Sequence, residues 1–153
     1  MQLSKGFDYA VRSMVHLAML PKGYAAELKT IAEAQHIPVS YLAKVMRNLV
    51  RGGLVTSTLG RDGGYSLRRS PADITLLQIY GIIEGEMRLM ECMDNDKNCF
   101  LFEGCGQARV WRRLRETVES IFSETTLLDL LPSPAKSKLA KPMKEKKYAR
   151  AGA

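Results

Sequence analysis

Cysteine is absent before residue 92 and after residue 105 of this 153-residue chain, and only three are present in all. So few thiols, in odd number, exclude a disulfide-stapled scaffold. Long apolar runs are missing as well: none approaches the ~18 residues that a membrane span requires. The opening MQLSKGFDYAVRSMVHLAML mixes charges into its apolar positions, unlike a secretory leader. The expected location is therefore cytoplasmic, where stable disulfides are rare. Histidine is scarce, with His16 and His36 alone. No HExxH pair, nucleophile–base arrangement or phosphate-cradling glycine loop between strand and helix is found, so no enzymatic activity is expected.

What the chain has in excess is positive charge. The formal net charge is +7, with 23 Lys and Arg against 16 Asp and Glu. Much of it lies in PSPAKSKLAKPMKEKKYARAGA, residues 132–153, which lacks apolar periodicity and reads as a basic disordered tail. Such a tail adds non-specific attraction to phosphate or is simply solvated.

Helical periodicity organises the rest. Phe7, Ala10, Val11, Met14, Leu17 and Ala18 form one stripe, with Ser4 as N-cap candidate and Pro21 and Gly23 as stop signals. A short helix over about Leu28–Gln35 ends at Ile37-Pro38. The next, VSYLAKVMRNLVR, buries Leu42, Val45, Met46, Leu49 and Val50 and stops at Gly52-Gly53. LVTST and YSLRR flank the glycine-rich LGRDGG, predicting a hairpin. A helix near Thr75–Glu84 follows. The predicted fold is mainly α with a small β-hairpin wing: a winged helix-turn-helix over 1–84. A cysteine-bearing loop over 85–105 comes next, then a long dimerisation helix and a short C-terminal helix over 106–131.

The third helix turns Ser40, Tyr41, Lys44, Arg47, Asn48 and Arg51 away from its apolar stripe. Such groups read base edges and phosphates when a helix enters the major groove. From Pro38 to Arg69 there are six basic residues, and Asp62 is the one acid. That is the electrostatic footprint of a DNA reader, and an electron carrier would have no use for it. Arg61, between glycines at the hairpin tip, suits a narrow minor groove.

On the last helix Trp111, Leu114, Val118 and Ile121, continuing to Thr125 and Leu128, step by three and four as an a/d seam. The seam closes most readily on a second copy, giving a homodimer on a near-palindromic operator, or else it packs on the chain's own core.

Cys92, Cys99 and Cys105 have six and five residues between them. That spacing fits zinc poorly and leaves iron–sulfur ligation, redox thiols and structural cysteines open.

LSKGFDYAVRSM, IPVSYLAKVMRNLVRGGLV, GRDGGYSL and three spaced cysteines before a long helix together resemble the Rrf2 family of bacterial winged-helix regulators, over residues 1–131. The resemblance implies a dimeric DNA-binding regulator, acting as a repressor, with a crossing dimerisation helix. It implies that Cys92, Cys99 and Cys105 hold an iron–sulfur cluster that reports nitric oxide, redox state or cluster supply. In IscR-like members a histidine three residues after the last cysteine is the fourth ligand, and Ala108 stands there. In NsrR-like members an aspartate on the first helix of the other subunit completes a 4Fe–4S site, and Asp8 stands there. The implied cofactor is thus 4Fe–4S, with 2Fe–2S as the alternative. Asp8 and Arg12 are also spaced as an ordinary surface ion pair. Ala43 replaces an acidic operator-discriminating residue, and the family's wing arginine aligns nearer Leu59 than Arg61. Cluster-free members exist, in which thiol redox or a partner protein is the signal.

Overall fold

The computed structural model describes residues 3–60, 63–89, 105–132 and 149–150. The first helix, α1 (Lys5–Ala18), begins where the Ser4 hydroxyl accepts a hydrogen bond from the Phe7 amide at 3.1 Å. That satisfies one of the unpaired amides of the first turn. Phe7, Ala10, Met14 and Leu17 lie on its buried face.

A two-residue strand, β1 (Tyr24–Ala25), leads to α2 (Leu28–Gln35). His36 ends this helix in the left-handed region (φ 52°), and the Ile37 amide returns to the Ala32 carbonyl at 2.9 Å. This closure satisfies carbonyls of the last turn. It reverses the chain into α3 (Val39–Arg51), completing the helix-turn-helix. Leu42, Val45, Met46 and Leu49 are buried against α1 and α2. A leucine so buried contributes about 2 kcal/mol.

The wing is the antiparallel pair β2 (Val55–Thr58) and β3 (Gly64–Leu67), with Val55 opposite Leu67 and Thr58 opposite Gly64. Ala26 and Tyr65 exchange backbone hydrogen bonds at 2.9 and 2.8 Å, attaching the wing to the segment after β1. A Cβ at Gly64 would lie 2.6 Å from the Ala26 carbonyl oxygen, so this close approach requires glycine.

After a single 3₁₀ turn at Pro71–Asp73 comes α4 (Leu76–Ile83). Thr75 and Gln78 cap it reciprocally, each side chain accepting from the other's amide. The long helix α5 (Gly106–Glu124) packs on α4 through Val118 and Phe122. Phe7, Tyr80 and Phe122 form an aromatic trio, with centroid separations of 5.5, 5.7 and 5.8 Å.

Beyond α5 the chain folds back: Leu127, fully buried, donates its amide to the Ile74 carbonyl at 2.8 Å. The expected short helix over this stretch is instead a run of turns. The Asp129 carboxylate accepts from both the Thr126 amide and hydroxyl, at 2.8 and 2.6 Å, which favours a turn over a helical ladder. Of the basic tail, Pro132 and residues 149–150 are described. The latter form β4 (Ala149–Arg150), antiparallel to β1. Sequence reading foresaw neither strand, because two residues carry no period.

Candidate nucleic-acid interface

On α3, Ser40, Tyr41, Lys44, Arg47 and Arg51 are exposed on the side opposite the core, as the periodicity required. Asn48 is half-buried, and its Oδ1 accepts from Arg51 Nη2 at 2.6 Å. These two residues therefore present themselves as a unit rather than as independent contacts. Lys44 and Arg47 have no acidic partner among the described residues. Tyr41 is not free either: its ring meets Tyr9 of α1 edge-on at 5.3 Å. An uncompensated cationic face on the second helix of a helix-turn-helix matches a polyanionic groove.

The wing contributes Thr56, Ser57 and Thr58, all exposed, and then Leu59, which is 96% exposed. Leu59 was not among the expected DNA contacts, although its place next to Gly60 in the predicted turn signalled its exposure. Arg61 lies outside the described residues.

Asp8 stands on the exposed side of α1, its side chain 57% accessible, and pairs with Arg12 at 3.3 Å. The same guanidinium donates to the Gln35 carbonyl at the end of α2 and lies 5.8 Å from the Tyr9 ring centroid. Arg12 thus connects Asp8 to the helix-turn-helix corner and, through Tyr9, to Tyr41 at the start of α3. Sequence spacing disclosed the pair with Asp8 but not the long-range bond to residue 35.

Cys105 is the N-cap of α5, half-buried, with a free thiol that makes no capping hydrogen bond. Cys92 and Cys99 lie outside the described residues. Among the described residues no group of three or more His, Cys, Asp and Glu gathers as a metal site. Asp8 and Cys105 nonetheless have donor atoms uncommitted to the fold, which suits the implied ligand set.

Along α5 the seam divides. Val110, Leu114 and Ile121 are 59%, 42% and 55% exposed, whereas Val118 packs against the chain's own core beside Phe122. Trp111 is half-buried. Val110 belongs to the outward row and was not foreseen there.

No helix among the described residues is long and apolar enough to cross a membrane. A family model described as "Iron-dependent Transcriptional regulator", Rrf2, matches residues 3–133. The chain is 31% identical over 132 residues to the HTH-type transcriptional regulator NsrR of Bacillus subtilis, covering 86% of this chain and 90% of that one. Its fold superimposes on CymR, the global cysteine regulator of B. subtilis, with TM-score 0.70 and 28% identity over 85% and 95% of the two chains. It also superimposes on T. potens IscR, with TM-score 0.69 and 27% identity over 95% and 94%. These are regulators rather than enzymes. Sequence and shape converge on what the cationic face of α3 already required, and the chain belongs to the Rrf2 family of DNA-binding transcriptional regulators.

Proposed function

We propose that the chain is a homodimeric repressor whose affinity for a near-palindromic operator is set by an iron–sulfur cluster, 4Fe–4S rather than 2Fe–2S. The observation that carries this reading is Asp8: an exposed carboxylate on α1, held by one ion pair among the described residues. An exposed i, i+4 pair is worth only a few tenths of a kcal/mol, so recruiting Asp8 as a ligand costs little. Cys92, Cys99 and Cys105 would supply the thiolates, and Asp8 of the second copy the fourth ligand. When bound, such a cluster supplies a centre sensitive to oxidants, nitric oxide and iron supply.

The residues of the chain do the rest. Arg12 orients the Asp8 carboxylate and holds the corner between α2 and α3, so the position of Asp8 bears on the recognition helix. Val110, Leu114 and Ile121, together with Trp111, form the contact with the second copy. Ser40, Tyr41, Lys44, Arg47, Asn48 and Arg51 enter the major groove, with Arg61 and Leu59 at the wing. Paired recognition helices about 34 Å apart, or a multiple of it, address two half-sites. The chain is thus divided into a reader (1–84), a cluster loop (85–105), a dimerisation region (106–131) and a basic tail (132–153).

Anaerobic purification tests this. An iron- and sulfide-containing brown protein, with a Mössbauer spectrum altered by Asp8→Ala, is the expected result. A colourless, iron-free protein would overturn the cluster, and identical spectra would remove Asp8 from it.

A second reading has support in the fold shared with CymR, a cysteine regulator, and in the Ala108 that stands where IscR-like members carry a histidine ligand. In that reading the three cysteines act as cluster-free redox thiols, or a partner protein carries the signal. Thiol titration of the iron-free protein, before and after oxidation, would then track operator affinity.

A further inference from the structure

A groove of about 570 Å³ opens between the end of α1, the loop before β1 and the outgoing end of β3. Its floor is apolar, formed by Leu17, Leu20 and Leu67; its rim carries Lys22, Arg68 and Arg69, and no acidic residue lines it. None of these three cations has an ion pair among the described residues. The antiparallel register puts Leu67 opposite Val55 and Gly64 opposite Thr58. Arg68 and Arg69 therefore lie at the base of the wing, roughly 10–15 Å along the strand from its tip. The recognition face residues Lys44, Arg47 and Arg51 do not line the groove.

Three unpaired cations around a concavity repel one another and focus a positive potential into it. The volume lies within the range of small-molecule sites, which run to about 300–1,000 Å³ and combine apolar walls with a few polar groups. We propose that this groove is a ligand site for a small organic anion. The anion's carboxylate or phosphate head meets Lys22, Arg68 and Arg69, and its apolar body lies on Leu17, Leu20 and Leu67. Because the groove joins α1 to the root of the wing, a ligand there touches both elements. The inference is independent of the cluster.

The test uses the full-length protein with anilinonaphthalene sulfonate as fluorescent anionic probe. Saturable binding at one site per chain is expected, displaced by decanoate or decyl phosphate but not by decyltrimethylammonium. Affinity for the probe should fall at least tenfold in Arg68→Gln with Arg69→Gln, and several-fold in Lys22→Gln with operator affinity retained. Lys22 is exposed outside any helix or strand, so its variant reports even if the double variant misfolds. Probe binding untouched by Lys22→Gln, equal displacement by the cationic amphiphile, or stoichiometric displacement by operator duplex would each overturn the site. The last would make the groove part of the DNA surface.

Discussion

The Phe122 ring of α5 stacks on Phe7 of α1, with centroids 5.7 Å apart and planes within 12° of parallel. Phe7 directly precedes Asp8, so the helix expected to meet a second copy is packed against the residue next to the candidate ligand. Phe122→Ala removes the stack and its packing on Tyr80. A loss of about 2–3 kcal/mol of stability is expected, measured by denaturant unfolding. A midpoint unchanged from wild type would mean that α5 is held by other contacts.

Replacing Arg47 and Arg51 together by alanine should weaken operator binding by at least tenfold. The salt slope of log K should also fall by about 1 for each phosphate that is no longer neutralised. Anisotropy titrations at several salt concentrations read both quantities. Because Arg51 donates to Asn48, Arg51→Ala alone should also disturb Asn48, making the single-variant losses at 48 and 51 non-additive.

At Gly64 the alanine variant places a methyl group against backbone that cannot swing aside. A loss of about 1–3 kcal/mol is expected, with DNA affinity falling more than the residue's distance from α3 would suggest. Thermal unfolding and gel shift together separate the two effects.

His16 is buried on α1, its Nδ1 is 3.4 Å from the Gln35 side-chain amide and its Nε2 has no hydrogen-bond partner. Burial lowers its pKa from the ordinary 6.5. The unfolded chain then binds a proton that the folded chain refuses. This contribution to stability is fully present above pH 6.5 and declines as pH falls below it, with a slope of at most about 1.4 kcal/mol per pH unit. His16→Gln should flatten the stability–pH curve between pH 5 and 6.5, the range roughly bracketing the ordinary histidine value. An unchanged slope would assign the acid sensitivity to other groups.

Leu114→Glu with Ile121→Glu puts charge on the outward row of α5 without touching Phe122. The expected sedimentation result is dimers for the unaltered chain and monomers for this variant, and operator affinity should drop by at least a hundredfold as half-sites are bound singly. A variant that stays dimeric would exclude this face.

Where the sequence carried a period, it disclosed the structure. The stripe of α1, the bounds of α2, the apolar face of α3 and the hairpin all follow from spacing and from glycine, proline and serine at the ends. The cationic face of α3 followed from the same spacing. What spacing does not carry is a contact between distant segments. The bond from Arg12 to Gln35, the bridge from Ala26 to Tyr65 and the return of Leu127 to Ile74 depend on the assembled core. Val118 shows the limit within one helix: the three-four rhythm identified an apolar stripe about α5, but not that its edge is shared with the chain's own Phe122 side.

The core anchors of α5 are Val118 and Phe122, near one end, while Cys105 caps the other. Sixteen residues of helix lie between Cys105 and Phe122, a lever of ~25 Å. A tilt of a few degrees about the aromatic fulcrum sweeps the thiol end through roughly 2 Å, a distance comparable to a metal–ligand bond. The geometry runs in both directions: a small rearrangement at the far end of α5 arrives at Phe7 as a torque on α1.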